Sequence, residues 1–136
     1  MACLAVIGLY FSCSFSIAET PDKEAAAVVA AEKWLSLVDQ EQYAESWKEA
    51  AEYFRNAVNQ TQWEQMVQTA RKPLGKPISR NVKAKTYTTT LPGAPDGQYV
   101  VIEFDTSFEK KKSAIETVSP MMDKDGKWRV SGYYIK

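Results

Sequence analysis

Near residues 73–79 the hydrophobic period of this chain changes: apolar side chains recur every three to four positions before that point and alternate with polar ones after it. A helix buries a stripe and a strand buries every second side chain, so the two halves can share one core only if helices lie across one face of a sheet. Before the switch, Ala27, Ala31, Trp34, Leu35 and Val38 form one helical stripe, with Thr20 as the expected N-cap and Pro21 in the first turn. A second helix is expected over 43–58, with Tyr43, Trp47, Ala50, Ala51, Phe54 and Val58 on its buried side. A third opens with a capping box of Thr61 and Glu64, carries Trp63, Met66, Val67 and Ala70, and stops at Pro73, Gly75 and Pro77.

After the switch, four strands are expected over 82–91, 98–108, 113–122 and 127–135. Turn residues at 92–97, the charged run Glu109-Lys110-Lys111-Lys112 and the hairpin Asp123-Lys124-Asp125-Gly126 join them. In the second strand Val100, Ile102, Phe104 and Phe108 share one face, and Glu103, Asp105 and Ser107 the other. The third strand admits two parities. With Val118 and Met122 inward, Glu116 lies under the helices, where a carboxylate needs a partner or a wet pocket and where Glu116→Gln should raise stability. With Ile115 and Met121 inward, Glu116 is exposed. Trp128 and Val130 of the fourth strand face the helix stripes, which makes Trp128 a candidate core anchor. The fold class that follows is α+β: three N-terminal helices packed on one face of a four-stranded antiparallel sheet.

Residues 1–18 contain no Lys, Arg, Asp or Glu, and the apolar stretch 4–15 has the length of a secretory signal core. It is shorter than the roughly 20 apolar residues a membrane helix needs. Ser16-Ile17-Ala18 places small residues where a signal peptidase cuts, so cleavage is expected after Ala18, leaving residues 19–136 as a single α+β domain located in the periplasm or secreted. Both cysteines, Cys3 and Cys13, fall in the segment removed, and Tyr10-Phe11-Ser12 before Cys13 departs from a lipobox. The chain has no His, so the usual ligands of zinc, copper, haem and iron–sulfur centres and the His-dependent triads are missing from the mature sequence, and no metal or cofactor is expected. Asp123-Lys124-Asp125-Gly126 fails as a calcium loop because Met121 and Gly132 would occupy its first and last ligand positions. Acidic and basic side chains balance at 17 each, which gives no global field for nucleic acid, and no membrane span is expected in the mature chain.

Core packing accounts for Trp34, Trp47 and Trp63. The polar residues left on the sheet are Glu103, Asp105, Glu116, Arg129 and Tyr133, and from them the candidate pocket is drawn: Glu116, Tyr133, Arg129 and Glu103. The segment from Trp47 to Phe54 with Trp63, the stop Lys72-Pro73-Leu74-Gly75, Glu116-Thr117-Val118-Ser119-Pro120-Met121 and the ending Asp125-Gly126-Lys127-Trp128-Arg129-Val130-Ser131-Gly132-Tyr133-Tyr134 resemble domain-of-unknown-function family 4019. The resemblance implies a small exported bacterial protein and a curved sheet wrapped by helices, in the manner of cystatin-like and nuclear-transport-factor-two-like folds; it implies no activity and no catalytic residues. Cystatin-type protease inhibition is disfavoured, because Gln98-Tyr99-Val100-Val101-Ile102 ends in Ile where the inhibitory loop needs Gly. The function expected is therefore a non-catalytic envelope module that binds a small ligand, a peptide or an envelope protein between sheet and helices. The alternative is an enzyme using Glu116 and Tyr133 for acid–base chemistry.

N-terminal sequencing of the protein recovered from its host should begin at Glu19. A chain starting at Met1, or a diacylglycerol-modified Cys13, would reject the assignment.

Overall fold

A computed structural model describes residues 19–136, so the expected cleavage after Ala18 lies outside the described residues. Four helices precede four strands: α1 (Glu19–Asp39), α2 (Tyr43–Lys48), α3 (Glu52–Ala57), α4 (Gln60–Arg71), a 3-10 turn (Lys72–Leu74), then β1 (Pro77–Thr88), β2 (Tyr99–Phe108), β3 (Lys111–Met122) and β4 (Trp128–Ile135). The strands form one antiparallel sheet in sequence order, β1-β2-β3-β4, so β1 and β4 are its edges. The fold is α+β, with the helices N-terminal to the sheet. None of the described helices is long and apolar enough to cross a membrane.

One core joins the two halves. The α1 stripe of Ala27, Ala31, Trp34, Leu35 and Val38 meets Val100, Ile102 and Phe104 of β2, Val118 of β3 and Val130 of β4. Three aromatic rings from different helices lie at its centre: Trp34 and Trp63 are 5.8 Å apart, and Phe54 meets Trp63 edge-on at 5.0 Å. The two indoles need hydrogen-bond acceptors once buried. Ser46 of α2 supplies two, since Trp34 Nε1 donates to its carbonyl at 2.8 Å and Trp63 Nε1 to its Oγ at 2.9 Å. A fully buried serine in a short helix thus has a packing reason.

Four expectations are corrected here. α1 already includes Glu19, so Thr20 lies inside the helix and is not its N-cap. The helix expected over 43–58 is two helices, broken at residues 49–51. Ala51 takes an extended conformation and its N–H donates to the Val130 carbonyl at 2.8 Å, on the edge of β4. Ala50 and Ala51, both fully buried, bring only methyl groups to that contact, so the backbone can approach the sheet. The capping box of α4 is not Thr61 and Glu64 but Asn59 and Gln62: Gln62 N donates to Asn59 Oδ1 at 2.8 Å, and Asn59 N to Gln62 Oε1 at 3.2 Å. Asn is a better N-cap than Thr, and it starts the helix two residues earlier. Trp128 packs against the core but is only half-buried, lining a surface cleft with α1, because it sits opposite Met122 at the end of the last hairpin.

β1 begins five residues before its expected start, because Gly75 lets the chain turn sharply onto the β2–β3 hairpin. Its φ is 74°, and a Cβ there would lie 2.9 Å from the Glu109 Cβ. That approach allows Lys76 N to donate to the Glu109 carboxylate at 2.7 Å and Lys110 N to the Leu74 carbonyl at 2.9 Å. Pro120, which lacks an N–H, sits in the interior strand β3 at a register shift of its pairing with β4, where a missing ladder bond is tolerated.

Trp63→Ala should cost about 3–5 kcal/mol in urea denaturation, and Trp128→Ala clearly less. Asn59→Ala should cost about 1 kcal/mol while Thr61→Ala is nearly silent. Equal losses for the two cap variants would contradict the observed box.

Candidate functional site

The third strand takes the parity that puts Glu116 inside. Ala114, Glu116, Val118 and Pro120 all point to the helix side, and Glu116 is 0 % exposed. A buried carboxylate without partners would be strongly disfavoured, and this one has three. Arg80 Nε donates to Glu116 Oε1 at 2.7 Å, Thr106 Oγ1 donates to the same oxygen at 2.6 Å, and the Tyr133 hydroxyl donates to Oε2. The four residues come from four strands. Arg80 pairs with Thr106 across β1 and β2, Glu116 lies one diagonal step away on β3, and Tyr133 one further step away on β4. They form a polar row across the inner face of the sheet.

Two helix ends close over this row. Asp39, the last residue of α1, accepts from Arg80 Nη1 at 2.8 Å and Nη2 at 3.0 Å. Arg71, the last residue of α4, donates to Asp39 Oδ1 at 2.8 Å and reaches the Tyr133 hydroxyl at 3.5 Å, with its guanidinium 4.9 Å over the Phe108 ring. A carboxylate at a helix C-terminus is unfavourable against the helix dipole, and the last turn of α1 has no basic residue to offset it. Arg71 and Arg80 provide the offset from elsewhere in the chain. Two carboxylates and two guanidiniums leave the cluster with no net charge.

Burial by itself would raise the Asp39 pKa, but the hydrogen bonds and charges of Arg80 and Arg71 outweigh it and hold the carboxyl below its ordinary value. Burial opposes the charge on Arg80, yet bonding to Asp39 and Glu116 prevails and strengthens its hold on its proton. Burial and then the Glu116 charge push the Tyr133 hydroxyl well above its ordinary range, so it stays protonated and acts as a donor. Both oxygens of Glu116 therefore already accept hydrogen bonds. Among the described residues no three His, Cys, Asp or Glu side chains gather as a metal site, and both carboxylates of the cluster, buried Glu116 and half-buried Asp39, are engaged by arginine.

Of the four residues drawn into the candidate pocket, Glu116 and Tyr133 meet and the other two stay apart. Arg129 does not reach Glu116 and pairs instead with Asp123 at 3.2 Å and Asp125 at 2.7 Å in the last hairpin. That bond to Arg129 is the main reason the Asp125 pKa drops to about 2. Glu103 lies opposite Thr117 on the outer face, as the alternation of β2 required, and Asp105 is exposed on that same face. Four partners were missed: Asp39, Arg71, Arg80 and Thr106. Three had a sequence signal. Asp39 follows Leu35 by four residues and Arg71 follows Val67 by four, so each extends a buried stripe by one turn. Thr106 is the one polar residue among the inward positions of β2. Arg80 had none, since it precedes the strand start expected from the pattern.

Beside the cluster, α4 and β4 flank an open cleft of about 500 Å³. Trp63, Val67, Ala70 and Leu74 line one side; Met66 stands on its rim and Tyr134, opposite Thr117 on the outer face, borders it at the sheet edge, each 59 % exposed.

Helices laid on one face of an antiparallel sheet, with a charge-neutral cluster between them and an apolar cleft at the sheet edge, define a small α+β protein. The chain belongs to the family described as Protein of unknown function (DUF4019), whose model matches residues 30–133. No curated protein matches it.

Glu116→Gln should destabilise by about 3 kcal/mol rather than stabilise, because Arg80 would be left buried beside a neutral amide. A group with a depressed folded pKa stabilises above its unfolded value and loses that contribution as pH falls through the folded one. Stability should therefore fall below about pH 4 as Asp39 protonates. Arg80→Met should move the acid-unfolding midpoint upward. Denaturation midpoints measured across the acid range would show both effects, and a flat profile would contradict them.

Proposed function

We propose that this chain is an exported, non-catalytic binding module whose ligand or partner lies in the cleft between α4 and β4. The observation that carries the reading is a contrast between neighbours. Both oxygens of Glu116 are engaged by Arg80, Thr106 and Tyr133, whereas the apolar cleft alongside them is open and has two large exposed hydrophobic side chains beside it. Exposed apolar surface of this kind marks an interaction site. Export rests on the uncharged apolar run of residues 1–18 and its small-residue ending.

The enzymatic alternative draws little support from this geometry. A general base needs a free acceptor within reach of substrate, and the Glu116 oxygens are engaged by Arg80, Thr106 and Tyr133 beneath the helices. The Tyr133 proton is held by the same carboxylate.

Amide chemical-shift mapping against a library of small apolar and peptidic fragments tests the reading. Shifts should concentrate at Met66, Ala70, Leu74, Tyr134 and Ile135. Responses confined to the outer face around Glu103 and Asp105, or none at all, would overturn it. Native mass spectrometry of protein from its own host should show a retained ligand or partner.

A further inference from the structure

β4 is an edge strand, and only part of that edge is covered. Lys136 and Ile115 exchange both backbone hydrogen bonds, at 2.8 and 3.0 Å. In an antiparallel ladder the next residue turns its N–H and C=O the other way, and the pattern alternates. The pairings Glu116 with Ile135, Thr117 with Tyr134 and Val118 with Tyr133 then direct the N–H and C=O of Tyr133 and Ile135 away from the sheet. The outward carbonyl of Val130 is occupied by Ala51 N. Among the described residues, no such partner meets the outward groups of Tyr133 or Ile135. Those four groups border the cleft whose other wall is α4.

The geometry points to strand addition: we infer that the cleft takes an extended peptide segment of a partner protein, which continues the sheet beyond β4. The inference rests on the binding-module reading above and specifies its ligand. Backbone groups at Tyr133 and Ile135 would bond the incoming strand, giving affinity that does not depend on sequence. Alternate side chains of the peptide would point at Met66, Ala70 and Leu74, which favours apolar residues at every second position. Two lysines, Lys111 and Lys136, line the cleft and no Asp or Glu side chain does, so charge complementarity favours a peptide with acidic residues flanking its apolar ones.

The test uses residues 19–136 and a synthetic peptide of about seven residues, alternating valine and threonine with an aspartate at each end, N-acetylated and C-amidated. Calorimetric titration should show binding, with amide shifts along β4 and α4. The same peptide with lysine ends should bind about tenfold more weakly. A version N-methylated at alternate residues, which keeps the side chains but loses backbone donors, should not bind. Ile135→Pro should abolish binding while leaving the β3–β4 ladder intact, since the lost N–H is the outward one. Lys111→Glu should reduce the preference for aspartate ends. Undiminished binding of the N-methylated peptide would overturn strand addition while leaving the binding-module reading in place. Shifts along β1, self-association through β4 with no peptide response, or no binding by the aspartate-ended peptide would overturn the inference. Absence of response in the fragment mapping as well would remove the module reading with it.

Discussion

Everything in this structure depends on the neutralisation of Glu116. A carboxylate at the middle of the helix-covered face of a sheet is tolerable only if its oxygens are bonded and its charge is matched. Arg80 does both, and since Arg80 is itself largely buried, it in turn requires Asp39. Asp39 ends α1 and also receives Arg71, which ends α4. The requirement thus passes from one side chain to the next until the C-termini of two helices are attached to residues of all four strands. Apolar packing alone would let α1 and α4 slide or rotate over the sheet, since hydrophobic burial has no direction. Guanidinium–carboxylate pairs do have direction, and here they specify where each helix ends.

The same saturation bears on where binding would occur. The Glu116 carboxylate, bonded through both oxygens beneath the helices, is a poor partner for an incoming molecule, because each new contact would first break an existing one. The sheet edge is different. Its outward amides at Tyr133 and Ile135 have no backbone partner among the described residues, and Met66 and Ala70 of α4 stand exposed beside them. Ala51 shows how the protein treats the first half of that edge, covering Val130 with its own backbone. The second half keeps its ladder groups open, which in an antiparallel sheet is the arrangement most receptive to another strand.

Local departures from the expected elements have local causes. The break between α2 and α3 does not come from a helix-breaking residue; it comes from an amide drawn to β4, and the alanines at the break serve because they are small. The α4 cap moved to Asn59 because a stronger capping residue stood two positions upstream of Thr61. At Gly75 the positive φ and the close approach to Glu109 require a residue without a Cβ, and that turn positions both Arg71 and Arg80.

Sequence by itself determined the fold class, the four strands in their order and the inward sets of α1 and β2, because burial imposes a period on each element that can be read along the chain. It also determined that Glu116 and Tyr133 were the polar residues to watch. The parity of β3, the union of Glu116 with Arg80, Asp39 and Arg71, and the exclusion of Arg129 and Glu103 were decided only by tertiary structure. The physical reason is separation. The bonded partners of the cluster stand 10 to 62 residues apart along the chain, so no local period connects them, and they meet because sheet register and the ends of two helices bring them to one point.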